Sequence, residues 1–290
     1  MLRSTRNYMP SIKELEDIAT QVRRDILRMV NHATCGHPGG SLGCADFFTA
    51  LYFEILDHDS AFNMDGLNED IFILSNGHIS PVFYSVLSRS KYFPIEELNT
   101  FRKLNSRLQG HPATLEHLPG VRIATGSLGQ GLSVAVGSAL SKRYNNDDKL
   151  VYCLMGDGEL QEGQNWEAIM FAAHHKVDNL IATVDYNHKQ IDGDLDDVIS
   201  MGDLEAKWNA FGWEVMTMNG NDMSEVVNKL KEAKLKTGQG KPIVIIMKTL
   251  MSYGVDFMED DHRWHGVAPN NEELERALAQ LPETQQDFPI

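Results

Sequence analysis

Only three of the 290 residues are cysteine, Cys35, Cys44 and Cys153. So sparse and odd a set does not staple a small secreted fold, and the first residues carry no apolar signal core. A reducing cytoplasm is the expected compartment. Positive charge is in deficit too, with 26 lysines and arginines against 41 aspartates and glutamates and a formal charge of −15. That balance argues against a nucleic-acid surface and against anionic membranes, both of which select for a basic face. No apolar run approaches the ~20 residues of a membrane-spanning helix. Repeats, low-complexity tracts and interdomain linkers are missing as well, which leaves one chain long enough to bury a full core.

What is present is a regular alternation of helix-like and strand-like segments. Ser11 and Glu14 form a capping box, after which Ile12, Leu15, Ile18, Ala19, Val22, Ile26, Met29 and Val30 share one helical face. Residues 1–10 are expected to be a flexible tail, 11–282 a single domain and 283–290 a second tail. Short apolar runs predict buried strands at Asp70–Leu74, Leu150–Met155, Leu180–Val184 and Ile243–Met247, and Trp213–Met218 reads as a further strand. Helices are predicted from Leu42 or Ala45 to Leu56, from Pro81 onward, and over Ile95–Lys103, Leu132–Tyr144, Gln164–His174, Ser200–Phe211, Met223–Lys236 and Asn271–Leu281. Glycine-rich Cys35–Gly43 reads as a loop, and Thr249–Pro269, which has no periodicity, reads as a functional loop or a disordered stretch. The expected fold class is α/β, a doubly wound and mostly parallel sheet of at least five strands.

The chemistry gathers where strands end. Leu150–Met155 runs into Gly156-Asp157-Gly158, and Leu180–Val184 into Asp185-Tyr186-Asn187. In an open parallel sheet both tips face the ligand-binding edge, so Asp157 and Asn187 read as one divalent-metal site holding a diphosphate. One carboxylate, one amide oxygen and a loop carbonyl leave room for phosphate oxygens and water, the hard shell that Mg²⁺ prefers. A lone Gly-Asp-Gly is also common in plain turns, so the pairing carries the reading. His78 sits after the first strand as Asp157 does after the second, and His111 lies on a Gly-His-Pro turn. Ala124–Gly131 opens a helix but fits neither the dinucleotide nor the nucleotide-hydrolase glycine spacing. His32, Cys35 and His37 offer only three ligands, too few for structural zinc.

Taken together, Gly36-His37-Pro38-Gly39, Ser75-Asn76-Gly77-His78, Gly110-His111-Pro112, Thr125-Gly126-Ser127-Leu128-Gly129-Gln130-Gly131, Gly156-Asp157-Gly158 with Asn187, and His262-x-x-His265-Gly266 resemble the amino-terminal half of transketolases. Order and spacing agree from residue 11 to about 281. The resemblance implies a thiamine-diphosphate-binding fold, thiamine diphosphate and Mg²⁺ as cofactors (Ca²⁺ or Mn²⁺ as substitutes), and transfer of a two-carbon ketol unit between sugar phosphates, as in the pentose phosphate pathway. It further implies that Asp157, the Asn187 side chain and the Lys189 carbonyl bind the metal. His78, Gly126, Ser127, Leu128, Gly158, Asn187 and His265 would contact the cofactor, and His37, His111 and His265 the reacting sugar. Histidine suits that work because its ordinary pKa of about 6.5 allows proton exchange near neutrality. Glu162 resembles an acidic residue at the contact between two active sites.

Several positions depart from the pattern of the long-chain members. Ser127 stands where proline is usual, Ile79 follows His78 in place of glycine, Ala113 replaces an acid and Lys189 an apolar residue. The family's following domain, whose glutamate activates the aminopyrimidine ring, has no counterpart in this sequence. The resemblance therefore implies one half of a split transketolase, which needs a pyrimidine-binding carboxy-terminal subunit to form a heterotetramer. The alternatives are a part of another thiamine-diphosphate enzyme, such as a deoxyxylulose-phosphate synthase or a specialised sugar ketol transferase, and a non-catalytic cofactor-binding scaffold.

Overall fold

The computed structural model describes residues 10–290, so the tail expected over residues 1–10 lies, Pro10 apart, outside the described residues. The first helix, α1 (Ile12–Ala33), starts at the capping box read from the sequence: the Glu14 backbone N–H donates to the Ser11 hydroxyl and the Ser11 N–H to the Glu14 carboxylate. It is followed by α2 (Pro38–Gly43) and α3 (Ala45–Ala50), and α3 runs on into a π-helical turn at Leu51–Ile55. Strand β1 (Ile71–Leu74) leads through a 3₁₀ turn at Gly77–Ile79 into α4 (Ser80–Arg89). Then come α5 (Gly131–Tyr144), β2 (Val151–Gly156), α6 (Gly163–His174) and β3 (Leu180–Tyr186). A two-residue antiparallel ribbon, β4 (Lys189–Gln190) with β5 (Gly193–Asp194), precedes α7 (Leu195–Ile199) and α8 (Leu204–Ala210). The chain closes with β6 (Glu214–Asn219), α9 (Met223–Lys236), β7 (Ile243–Lys248) and α10 (Asn271–Gln280).

The five long strands form one sheet in the order β1-β2-β3-β7-β6, every pair parallel. Alternate residues of each strand feed opposite faces, the period-2 rule of a pleated strand. Phe72, Leu74, Tyr152, Leu154, Ile245 and Met247 join the core beneath α1, α3, α4 and α9, whereas Ile71, Ile73, Val151, Cys153, Val244 and Ile246 join a second core with α5, α6, Trp208 and Trp213. Helices on both faces of a parallel sheet make the fold α/β and doubly wound, as the sequence predicts.

Three local expectations are corrected. Cys35–Gly43, read as a loop, contains α2, because Pro38 supplies the fixed φ of a first helical turn and the glycines permit close packing. A Cβ on Gly39 would lie 2.8 Å from Met251 Cγ and 3.0 Å from the Trp264 carbonyl oxygen. Of the two starts expected for the helix ending at Leu56, Ala45 is the one observed: Cys44 separates it from α2, and it runs on through the π-turn to Ile55. Ile95–Lys103 forms only a 3₁₀ segment, Ile95–Thr100. The stretch 249–269 holds a single 3₁₀ turn, His262–Trp264, and is otherwise the loop expected. Residues 283–290, read as a tail, have no regular element yet are tied down. Asp287 pairs with Arg24 at 2.7 Å and accepts from Gln21 at 2.7 Å, and Phe288 is buried.

Candidate cofactor and metal site

The carboxyl ends of β1, β2, β3 and β7 meet at one edge of the sheet. Asp157 follows β2 directly and is buried, its Oδ1 accepting from the Gly158 N–H and its Oδ2 from the His188 N–H, both at 2.7 Å. Asn187, one residue past β3, is also buried. Its Nδ2 donates to Asp185 Oδ2 at 3.0 Å and its Oδ1 accepts from the Lys189 N–H at 2.9 Å. Thus Asp185, read from the sequence as part of the tip, is the penultimate residue of β3 and lies wholly buried beneath it. The Thr249 hydroxyl, just beyond β7, also donates to Asp185. The Lys189 side chain turns to Asp194 at 2.5 Å and Asp260 at 3.2 Å, leaving only its backbone to the tip.

Two carboxylates thereby lie close together in a buried place. Burial, and then the Asp185 charge, push the Asp157 carboxyl up to about 8. A buried acid so crowded by another is the environment that a divalent cation relieves. Among the described residues no three His, Cys, Asp or Glu side chains gather as a metal cluster. The expected shell of one carboxylate, one amide and one backbone carbonyl does not require such a cluster, so the residues present fit a hard cation that keeps phosphate and water ligands.

Four histidines from four segments gather together. His37 at the start of α2 lies 5.2 Å from His78, 6.2 Å from His111 and 5.6 Å from His265, ring centre to ring centre, and His78 stacks on His265 at 5.1 Å. Burial, then the charges of His265, Arg102 and His111, lower the His37 imidazole to about 4. His78, His111 and His265 are lowered as well, each chiefly by burial. All four are therefore neutral near pH 7 and present ring nitrogens as donors and acceptors. Nδ1 of His37 and of His265, Asn76 Oδ1 and Thr125 Oγ1 are buried without a hydrogen-bond partner among the described residues, polar atoms such as a bound ligand engages.

The loop 125–131 completes the edge. Gly126 has φ +126°, and a Cβ there would strike the His111 ring at 2.6 Å, so the backbone of the Gly126-Ser127-Leu128 turn passes directly beside that histidine. Every expected site residue thus lies on one edge of the sheet or on a loop reaching it. Sequence reading assigned no bracing role to Ser75, Glu159, Asp185 or Thr249, which support this edge from beneath. Glu159 carried a signal, being an acid next to the Gly-Asp-Gly turn, although its partners are remote in sequence.

This architecture is the thiamine-diphosphate-binding fold: the family described as "Transketolase, thiamine diphosphate binding domain" matches residues 15–290. The chain belongs to the transketolase family. It is 39% identical over 275 residues to one of the subunits of the apulose-4-phosphate transketolase of Actinobacillus succinogenes, covering 94% of this chain and 98% of that one. It is 37% identical over 268 residues to the 6-deoxy-6-sulfo-D-fructose transketolase subunit SqwG of a Clostridium species, covering 92% of this chain and 96% of that one. Against the solved transketolase of Campylobacter jejuni the TM-score is 0.87 at 36% identity, covering 97% of this chain but 45% of that one. The chain thus matches single transketolase subunits over nearly their full length and spans less than half of this long-chain transketolase.

Proposed function

We propose that the chain is the diphosphate-binding subunit of a split transketolase, which moves a two-carbon ketol unit between sugar phosphates with thiamine diphosphate and Mg²⁺. The observation that carries this reading is the gathering of four neutral histidines at the sheet edge that also holds Asp157 and Asn187. The thiamine group, when bound, would supply the nucleophilic carbon that ketol transfer needs. Asp157, Asn187 and the Lys189 carbonyl hold the metal, and Gly158, His78, His265 and the Gly126-Ser127-Leu128 backbone hold the cofactor. His37, His111 and His265 donate and accept hydrogen bonds and move protons at the sugar hydroxyls, as neutral imidazoles can. A carboxy-terminal subunit provides the pyrimidine-binding half, and the assembly is a heterotetramer in the cytoplasm.

A specialised sugar is the second reading, favoured because whole-length relatives are named for apulose 4-phosphate and for 6-deoxy-6-sulfofructose. Both readings are tested by assaying ketol transfer with the chain alone and after adding the candidate partner subunit, with product analysis across several ketose donors. Activity should require both chains, and a product formed from pyruvate with release of CO₂ would point to a synthase instead. Asp157→Ala should abolish Mg²⁺-dependent retention of thiamine diphosphate in a folded chain; unchanged retention refutes the metal assignment.

A further inference from the structure

Glu159 lies one residue beyond the Gly156-Asp157-Gly158 turn, is 2% exposed, and has no cationic partner among the described residues. Its carboxylate is held by neutral donors from three separate segments. Oε1 accepts from the Ser75 hydroxyl at the end of β1 and from the Gly129 N–H at 2.9 Å, and Oε2 accepts from the Gly156 N–H at 3.1 Å. The Ser75 oxygen in turn accepts from the Gly131 N–H at 3.1 Å, and the Glu159 carbonyl accepts from Asn165 Nδ2 at 2.7 Å. A buried carboxylate without a counter-charge is expensive, and an apolar side chain would serve plain core packing better. What this carboxylate does instead is join the tip of β1, the turn after β2 and the amino end of α5. Those three segments carry the backbone of the candidate cofactor site.

We propose that Glu159 is a positioning residue, which with Ser75 locks the loop 126–131 against the Gly156–Gly158 turn so that the main-chain groups of both present a single preformed diphosphate-binding surface. This rests on the diphosphate-binding reading above. The geometry sets the test. In Glu159→Gln one carboxylate oxygen becomes an amide NH₂, which cannot accept, so the backbone N–H facing it, of Gly129 or of Gly156, is left unpaired. Ser75→Ala removes the hydroxyl that serves Glu159 and Gly131 together.

Thiamine diphosphate affinity in Mg²⁺, with the partner subunit present, and backbone hydrogen exchange over residues 126–132 in the unliganded chain are to be measured for wild type and both variants. Glu159→Gln should weaken the affinity about tenfold and Ser75→Ala about threefold, both with faster exchange in that segment, as expected when a buried group loses its partner. A purely structural role would lower the thermal midpoint while the folded fraction keeps wild-type affinity and exchange, and that result overturns the proposal. Should Glu159→Gln fail to fold, Ser75→Ala decides alone, and unchanged affinity there overturns it. Should wild type show no Mg²⁺-dependent binding, the diphosphate reading fails, and the exchange rates still decide whether Glu159 holds the loop.

Discussion

At the scale of single residues, the four histidines set a pH dependence whose sign can be worked out. His37 is lowered from 6.5 to about 4, and His78, His111 and His265 are lowered too. Their stabilising contribution is complete above 6.5. As pH falls from there toward 4 the unfolded chain takes up protons that the folded chain refuses, and stability is lost. Asp157, raised from 3.8 to about 8, works in the opposite sense, favouring the folded unliganded chain below 3.8 and losing that advantage as pH rises through 8. The difference between wild type and His37→Asn isolates the imidazole: the wild-type thermal midpoint should drop more steeply between pH 6.5 and 4 than that of the variant. Equal slopes for the two proteins would contradict the lowered His37 value. His78 and His111 were placed at this edge by a strand end and a Gly-His-Pro turn, whereas His37 and His265 were singled out only by the family resemblance. Asp185 was misjudged because a strand end and a loop tip look alike in Asp-Tyr-Asn, and only its hydrogen bonds to Thr249 and Asn187 tell them apart.

At the scale of elements, apolar composition identified β1, β2, β3 and β7, since a strand buried on both faces needs nothing but apolar residues, whereas β6, at the sheet's edge with Glu214, Thr217 and Asn219, is only partly buried. Helix α2 escaped notice because its glycines serve packing rather than a turn, and packing partners more than two hundred residues away leave no trace in local propensity. Those partners give α2 its influence on the site. The Gly39 carbonyl accepts from the Ser252 N–H at 2.9 Å, so the helix that His37 immediately precedes is fastened to the loop that carries His265. Gly39→Ala should force Met251 and the Trp264 carbonyl aside, costing roughly 1–3 kcal/mol by overpacking. Weakened cofactor affinity should accompany the lower urea midpoint. A variant of wild-type stability and affinity would mean that the two segments yield without moving His265.

At the scale of the whole molecule, the two ends of the described chain are joined. Arg24 on α1 grips Asp287 through two hydrogen bonds, 2.9 and 2.7 Å, while Arg28 packs over Phe288 and donates to its carbonyl. Hydropathy marks residues 283–290 as a polar tail because one aspartate and one phenylalanine do not stand out in eight residues. Asp287→Ala should lower stability by roughly 1–3 kcal/mol through the unpaired, partly buried Arg24, as denaturant unfolding would register. An unchanged midpoint would return the segment to the status of a tail.

The strand order has a consequence for how the molecule comes into being. Among the described residues strand β6 pairs only with β7, which comes after it in the chain and slides between it and β3. During synthesis, β6 therefore leaves the ribosome with no edge to join until Ile243–Lys248 follows. Thr249, which caps Asp185, arrives only then. Such late, non-local pairing makes for slow folding with apolar edges exposed on the way. The same insertion ensures that no nascent chain shorter than this can display a finished site.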